Sequence, residues 1–469
     1  MSSIKLPASL ENPTVASNVA FDRAGFDPSK LSRFYLGLPA LATNGGRDVV
    51  FIGDSLFEGV GASNGALYSW ARLIGQGLQQ WANRKWAPSV KGGIGFVSLF
   101  ASASVTNTTV VNNGSWTYGP IGFSSGTSFC VGRINSGLGA GVNSVLTTSQ
   151  VTDIELVYQK RLSAVTIAFT ITGTGAASGT VVVGDTNLGP LWNTTQFTTN
   201  TGGIYGERKA VMTGVTASAT STVLTMSQPN TDSAWLHGYI CYNGDRTAGL
   251  RYHNLGRSGW KLYSSDNNSC IYRADCTRSP VDYDHVNFDN SGTSGPTIPE
   301  LNVKAPIQAN VDQWSYAPAT TAATGVYVGA CRAGLFVLEL LTNDQSGYGN
   351  SSAAVAASGL VTYQAKLQEM VDRILSRPSA PAVLLVIPPC PGGRETYYRV
   401  FKQAMYNVAA ATANVAVFDV DQFFSSAGSR SFPRTWENDS VGSETHATSL
   451  GYMGWAAPIM QAIIAGCPY

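Results

Sequence analysis

Asp48-Val49-Val50-Phe51-Ile52-Gly53-Asp54-Ser55-Leu56 is the stretch on which the reading of this sequence turns. Four consecutive apolar residues, Val49 to Ile52, show no polar alternation, which marks a strand covered on both faces. Gly53 then permits a tight turn. Asp54 and Ser55 both carry side chains that accept hydrogen bonds from the first turn of a helix. Beyond them Leu67, Trp70, Ile74, Leu78 and Trp81 recur at helical spacing. A buried strand, a tight turn and an amphipathic helix form the opening unit of a parallel α/β sheet.

The same alternation returns in the second half of the chain. Residues 335–341 read as a strand, and Tyr363, Leu367, Met370, Val371 and Ile374 read as the face of a following helix. Residues 382–387 are another apolar run, succeeded by a helix bearing Tyr398, Phe401 and Met405. Val415 to Phe418 leads towards a closing helix with Trp455, Ile459 and Ile463. These alternations predict an α/β fold whose parallel sheet is covered on both sides.

Two regions do not follow that rhythm. Residues 1–46 form a mixed leader ending at the turn Asn44-Gly45-Gly46. Residues 105–250 are β-patterned, with β-branched runs at 151–158, 164–171 and 179–184 between Gly, Asn and Thr turns. Short strands at that spacing predict a β-sandwich or barrel. Residues 47–104 and 251–469 are accordingly one α/β domain, and residues 105–250 a β-sandwich domain inserted into it. Gly92-Gly93-Ile94-Gly95 is not followed by Lys-Ser or Lys-Thr, so it is read as a turn rather than a phosphate loop.

Composition limits the partners. Only 13% of the 469 residues are charged, with 30 basic against 29 acidic side chains. Such a chain has no field to gather nucleic acid or an anionic membrane surface. Fifty glycines among many Ser, Thr and Asn suit a turn-dense protein working outside the cytoplasm. The seven cysteines contain no CxxC pair, which leaves no zinc or redox motif; Cys270 and Cys276 either close a short disulfide loop or remain thiols. The first residues lack a charged start and an apolar run, and no stretch reaches the roughly 18 apolar residues a membrane span needs. Neither an export signal of the usual kind nor a membrane span is expected, and no cofactor or metal is called for.

In parallel α/β sheets ligands bind beyond the carboxyl ends of the strands. Four segments with chemistry fall there: Gly53-Asp54-Ser55-Leu56, Asn254-Leu255-Gly256-Arg257-Ser258-Gly259, Thr342-Asn343-Asp344, and Ser443-Glu444-Thr445-His446 with Gly451-Tyr452 behind it. A serine hydroxyl is a poor nucleophile until a base takes its proton. The chain has four histidines: His237, His253, His285 and His446. His237 and His253 sit in strand-like surroundings that suit structural roles, and His285 lies in a loop that suits substrate contact. His446, just ahead of the closing helix, is the candidate base.

In this order and at these strand ends, the four segments resemble the four blocks of the SGNH (GDSL-type) hydrolase family. The resemblance covers residues 47–62 and 250–469. It implies a flavodoxin-like α/β/α sandwich and a serine esterase or lipase. Ser55 would be the nucleophile and His446 the general base. The backbone N–H groups of Ser55 and Gly259 and the side-chain amide of Asn343 would form the oxyanion hole. Residues 386–393 also resemble the family's loop beside the cleft.

One position departs from that pattern: the family's Asp three residues before the histidine is Ser443 here. Glu444 is the preferred acid, Asp439 and Glu437 lie upstream, and a backbone carbonyl holding the imidazole in a Ser-His dyad is the other solution. Asp54 and Asp344 are expected to brace their loops. About 200 residues separate Ser55 from Gly259, and the excess is the β region. Its Trp192, Trp235 and Tyr205 serve either as sugar-stacking platforms in a jelly-roll-like carbohydrate-binding domain or as core. Residues 262–330, with loop composition throughout, suit a cleft wall.

Two kinds of protein fit these observations. One is an esterase removing acetyl or other acyl groups from a polysaccharide or cell-wall glycan, or acting on small or longer-chain esters. The other is a binding protein, such as a phage tail or adhesin component, that keeps the scaffold without catalysis. An extracellular or virion-associated location, with virion or homo-oligomer assembly, would accompany either.

Overall fold

A computed structural model describes residues 24–43, 46–63, 68–90, 248–254, 256, 261–264, 333–344, 353–375, 379–390, 395–425 and 446–469, with backbone pairing alone for strands between residues 92 and 243 and for 270–273. Five parallel strands carry the α/β body: β1 (Arg47–Gly53), β2 (Leu250–Asn254), β3 (Ala333–Glu339), β4 (Ala382–Ile387) and β5 (Val415–Asp419). Their spatial order is β2-β1-β3-β4-β5, so the order reverses between β1 and β3. That reversal opens a crevice at the carboxyl ends of these two strands.

Each strand presents alternate residues to opposite faces. Val49 and Phe51 join Leu335, Val337, Leu384, Val386 and Phe418 in one core cluster. Val50 and Ile52 join Phe336, Leu338, Val383, Leu385 and Val417 in the other. The first cluster is covered by α1 (Trp70–Trp86) and α4 (Ser449–Ala465), through Trp70, Ile74, Leu78, Tyr452, Trp455, Ile459 and Ile463. The second is covered by α2 (Ala353–Leu375) and α3 (Glu395–Ala411), through Tyr363, Leu367, Ile374, Phe401 and Met405. The α/β/α sandwich with a parallel sheet is therefore the fold of the chain. Leu67, read as part of the first helical face, lies outside the described residues.

The stretch from Ala24 to Leu41 belongs to this body. Phe26, Leu31, Phe34, Leu38 and Leu41 are all buried in the first cluster. The Tyr35 hydroxyl donates to the Ile463 carbonyl at 2.9 Å, and Gly249 N–H donates to the Leu41 carbonyl at 2.8 Å. Each fully buried large apolar side chain contributes about 1.5 to 3 kcal/mol, so from residue 24 onward the segment grouped by sequence in the mixed leader supplies five side chains to the core.

Between α1 and β2 the chain forms two antiparallel sheets. One orders Ser144–Leu146, Thr222–Ser227, Val165–Thr172 and Ala177–Val183. The other orders Trp116–Tyr118, Gly132–Ile134, Ala234–Asn243, Asp153–Gln159 and Glu207–Met212, and Gly92–Ser98 also pairs with Ala234–Asn243. Residues 92–95 are thus strand rather than turn. Glycine weakens a strand but does not forbid it, and here the ladder to residues 241–243 supplies the hydrogen bonds that decide the matter.

Near the other end of β1, buried Asp48 accepts from Arg251 through Nε at 2.5 Å and Nη2 at 3.1 Å. His253 is 1% exposed, and its Nε2 lies 3.7 Å from the same carboxylate. This places His253 in the framework and not in the crevice. Among the described residues no helix is long and apolar enough to cross a membrane.

Candidate active site

The nucleophile loop is built from β1 outwards. A Cβ on Gly53 would lie 2.6 Å from the Phe57 ring and 2.8 Å from the Glu339 carbonyl, so only glycine fits that turn. Asp54 then caps the four-residue helix Ser55–Glu58, its Oδ1 accepting from Leu56 N–H at 2.9 Å. Gly59 ends the helix with φ at 93°, in the left-handed region. Ser55 is thereby held at the head of a helix with its residue only 4% exposed.

Neighbouring strand ends brace that loop. Asn254 at the end of β2 donates through Nδ2 to the Phe57 carbonyl at 2.7 Å and accepts from Gly256 N–H at 2.9 Å. A Cβ on Gly256 would meet Glu58 N at 2.5 Å, so a glycine here lets the two backbones touch. Gly259, the expected oxyanion donor three residues on, lies outside the described residues. Past β3, Asn343 Nδ2 donates to Asp54 Oδ2 at 3.1 Å, and Asp344 Oδ2 accepts from Leu262 N–H at 2.7 Å. Asp54 and Asp344 are braces, as their positions in the sequence suggested.

His446 stands just before α4, whose first turn is capped by Thr448 accepting from Gly451 N–H at 3.2 Å. Its Nε2 lies 2.9 Å from Ser55 Oγ, across a sequence separation of 391. Burial holds the imidazole below its ordinary pKa, favouring the neutral ring. With the proton on Nδ1, Nε2 accepts the serine O–H. Nδ1 itself is buried and has no partner among the described residues. Glu444, Ser443, Asp439 and Glu437 all lie outside them, as do Trp192, Tyr205 and His285.

Two features hold the serine and histidine loops together. The Tyr452 hydroxyl donates to the Val60 carbonyl at 2.7 Å, so a phenol on the first turn of α4, six residues after His446, holds the loop that follows Ser55. Ser63 N–H donates to Ser449 Oγ at 3.0 Å, and the two hydroxyls lie 2.8 Å apart. The sequence reading noted Tyr452 without this role; nothing in the pattern locates Val60 opposite it.

Glu339 was read only as part of a strand. The structure buries it completely beside the site, where Asp54 N–H donates to its Oε2 at 3.3 Å. An acid within the otherwise apolar run 335–341 was the available signal. Burial pushes the Asp54 carboxyl up to about 6. It pushes Glu339 well above the carboxylate range, with the Asp54 charge adding to the shift.

No protein family matches the chain by sequence, and no curated protein does. Solved structures do resemble it. One described as "Peptidoglycan O-acetylesterase in action, 5 min" is 15% identical, with a TM-score of 0.53 over 93% of this chain and 97% of that one. What the two share is the fold. A family two carbohydrate esterase from Clostridium thermocellum in complex with cellohexaose is 10% identical, with a TM-score of 0.26 over 79% of this chain and 98% of that one. One from Corynascus thermopiles, with a carbohydrate-binding domain, is 11% identical, with a TM-score of 0.26 over 76% and 100%. Among the described residues no group of three or more His, Cys, Asp or Glu could hold a metal, and Cys467 is a free thiol.

Replacing Tyr452 by Phe removes the bond to the part-buried Val60 carbonyl. The expected cost is about 0.5 to 1.5 kcal/mol of stability, measured by urea denaturation. A change below about 0.3 kcal/mol would show that the phenol does not hold the loop that follows Ser55.

Proposed function

We propose that this chain is a serine esterase that removes acetyl or other short acyl groups from a polysaccharide or cell-wall glycan. The observation that carries the reading is the 2.9 Å approach of His446 Nε2 to Ser55 Oγ at the mouth of the sheet's crevice. The fold shared with a peptidoglycan O-acetylesterase supports the choice of an acetylated glycan. Within this reading the inserted β region engages the sugar chain, and Glu444 or a backbone carbonyl takes the His446 Nδ1 proton's hydrogen bond.

The chemistry follows from the arrangement. Ser55 Oγ attacks the ester carbonyl carbon while its proton passes to His446 Nε2. The carbonyl π electrons move onto oxygen, and that oxyanion accepts from the N–H groups of Ser55 and Gly259 and from the Asn343 amide. When the tetrahedral species collapses, the C–O bond to the sugar breaks and His446 returns the proton to the departing alkoxide. Water then gives a proton to His446 and attacks the acyl-Ser55 carbonyl. Collapse releases the carboxylic acid and restores the serine hydroxyl with the same proton.

Three measurements follow. On a panel of acetylated glycans, short-chain esters and long-chain esters, the wild type should favour the acetylated glycans, and Ser55→Ala should fall to the buffer rate; equal rates for the two proteins would overturn the reading. Because the free imidazole is the base and burial lowers its pKa, kcat/KM should rise with pH through one step whose midpoint lies below the ordinary value of 6.5. A midpoint at or above that value would contradict the buried, neutral base. Asn343→Ala should reduce kcat by about 10² to 10³-fold; a loss below about threefold would remove Asn343 from the oxyanion hole.

A further inference from the structure

The proposed reaction gives no task to Glu339, although it is the acid nearest the nucleophile loop on β3. It closes that strand opposite Gly53 in the register of β1 and β3. Both Glu339 and Asp54 are 0% exposed, and the 3.3 Å bond from Asp54 N–H to Glu339 Oε2 sets the two acids side by side. No ion pair among the described residues includes either acid. Two adjacent carboxylates without a cation in a dry site repel strongly, and a single proton between them removes the repulsion.

The hydrogen bonds decide which acid holds that proton. Asp54 accepts from Leu56 N–H at 2.9 Å and from Asn343 Nδ2 at 3.1 Å, and both bonds favour its anion. Among the described residues Glu339 accepts from Asp54 N–H alone, and its Oε1 has no partner. Burial and the Asp54 charge both act on Glu339 in the same direction, towards the neutral acid. A neutral Glu339 turns a repulsive contact into a donated hydrogen bond.

We propose that Glu339 is a positioning residue: protonated, it donates to the Asp54 carboxylate and holds it as the fixed acceptor that orients the Asn343 amide towards the oxyanion. The catalytic part of this rests on the esterase reading. The protonation part does not. The chain of contacts runs from Glu339 to Asp54 to Asn343, and Asp54 also caps the helix that begins at Ser55. Loss of the donated bond would free Asp54 to rotate and would misalign the oxyanion donor without touching the surfaces that bind the sugar.

Two variants and one spectrum test this. Glu339→Gln keeps a donor and an acceptor in the same shape, whereas Glu339→Met keeps the length and loses both. Glu339→Gln should retain kcat within about threefold. Glu339→Met should lose about 10- to 100-fold in kcat with KM within about twofold, as expected for a misplaced oxyanion donor. The infrared difference spectrum of wild type minus Glu339→Gln at neutral pH should contain the C=O stretch of a protonated carboxylic acid, whether or not any ester is turned over. Absence of that band, or a Glu339→Gln loss as large as that of Glu339→Met, would overturn the proposal. Failure of the wild type to hydrolyse any ester would instead count against the esterase reading, and the band would still report the proton on Glu339.

Discussion

The hydrogen bond between Ser55 Oγ and His446 Nε2, 2.9 Å long, is the contact on which the rest of this structure's meaning depends. Its partners come from opposite ends of the α/β body, one from the turn after β1 and one from the residues before α4. They meet because α1 and α4 cover the same face of the sheet. Phe57, Trp70, Trp455 and Tyr452 form a row of edge-to-face rings with centroids 5.5 to 5.7 Å apart, linking the serine helix, α1 and α4. Such rings interlock and resist sliding, so packing sets the distance between hydroxyl and imidazole. The Tyr452 phenol then ties α4 to the loop that follows Ser55.

Burial sets the charge states around that contact. The imidazole is kept neutral by desolvation, the state a general base needs. Asp54, next to the serine in the chain, and Glu339 are removed from water, which makes their charges costly. The acids are arranged to order the loops, and none of the described ones reaches the imidazole. The site therefore separates two tasks. Packing and buried acids hold the donors, while one histidine moves the proton.

Most of the α/β body was legible in the sequence, because a strand buried on both faces is a run of apolar residues and a covering helix repeats its apolar positions every three or four. Val49 to Ile52, Val383 to Ile387 and the Tyr363-Leu367-Met370-Ile374 face carry that signal undiluted. The segment from Ala24 to Leu41 was not legible: its short helical turns are too brief to show a period, and only the tertiary structure reveals that Phe34 and Leu38 are core. Residues 92–95 were misread because their glycines favour turns locally, and their strand partner lies about 150 residues away. Ser55, Asn343 and His446 could be found because each sits at a strand or helix end in a recognisable block. Glu339 stands out only as an acid within an apolar run, and its role stays hidden because its partner Asp54 is chosen by the β1–β3 register and not by nearby sequence.

The central claim is that Ser55 is activated by His446. It is tested most directly by treating the folded chain with a fluorophosphonate and locating the adduct by peptide mass spectrometry. The account predicts one adduct, on the peptide containing Ser55, formed at a rate that collapses in His446→Ala. An adduct on another residue, or undiminished labelling of Ser55 in His446→Ala, would contradict it.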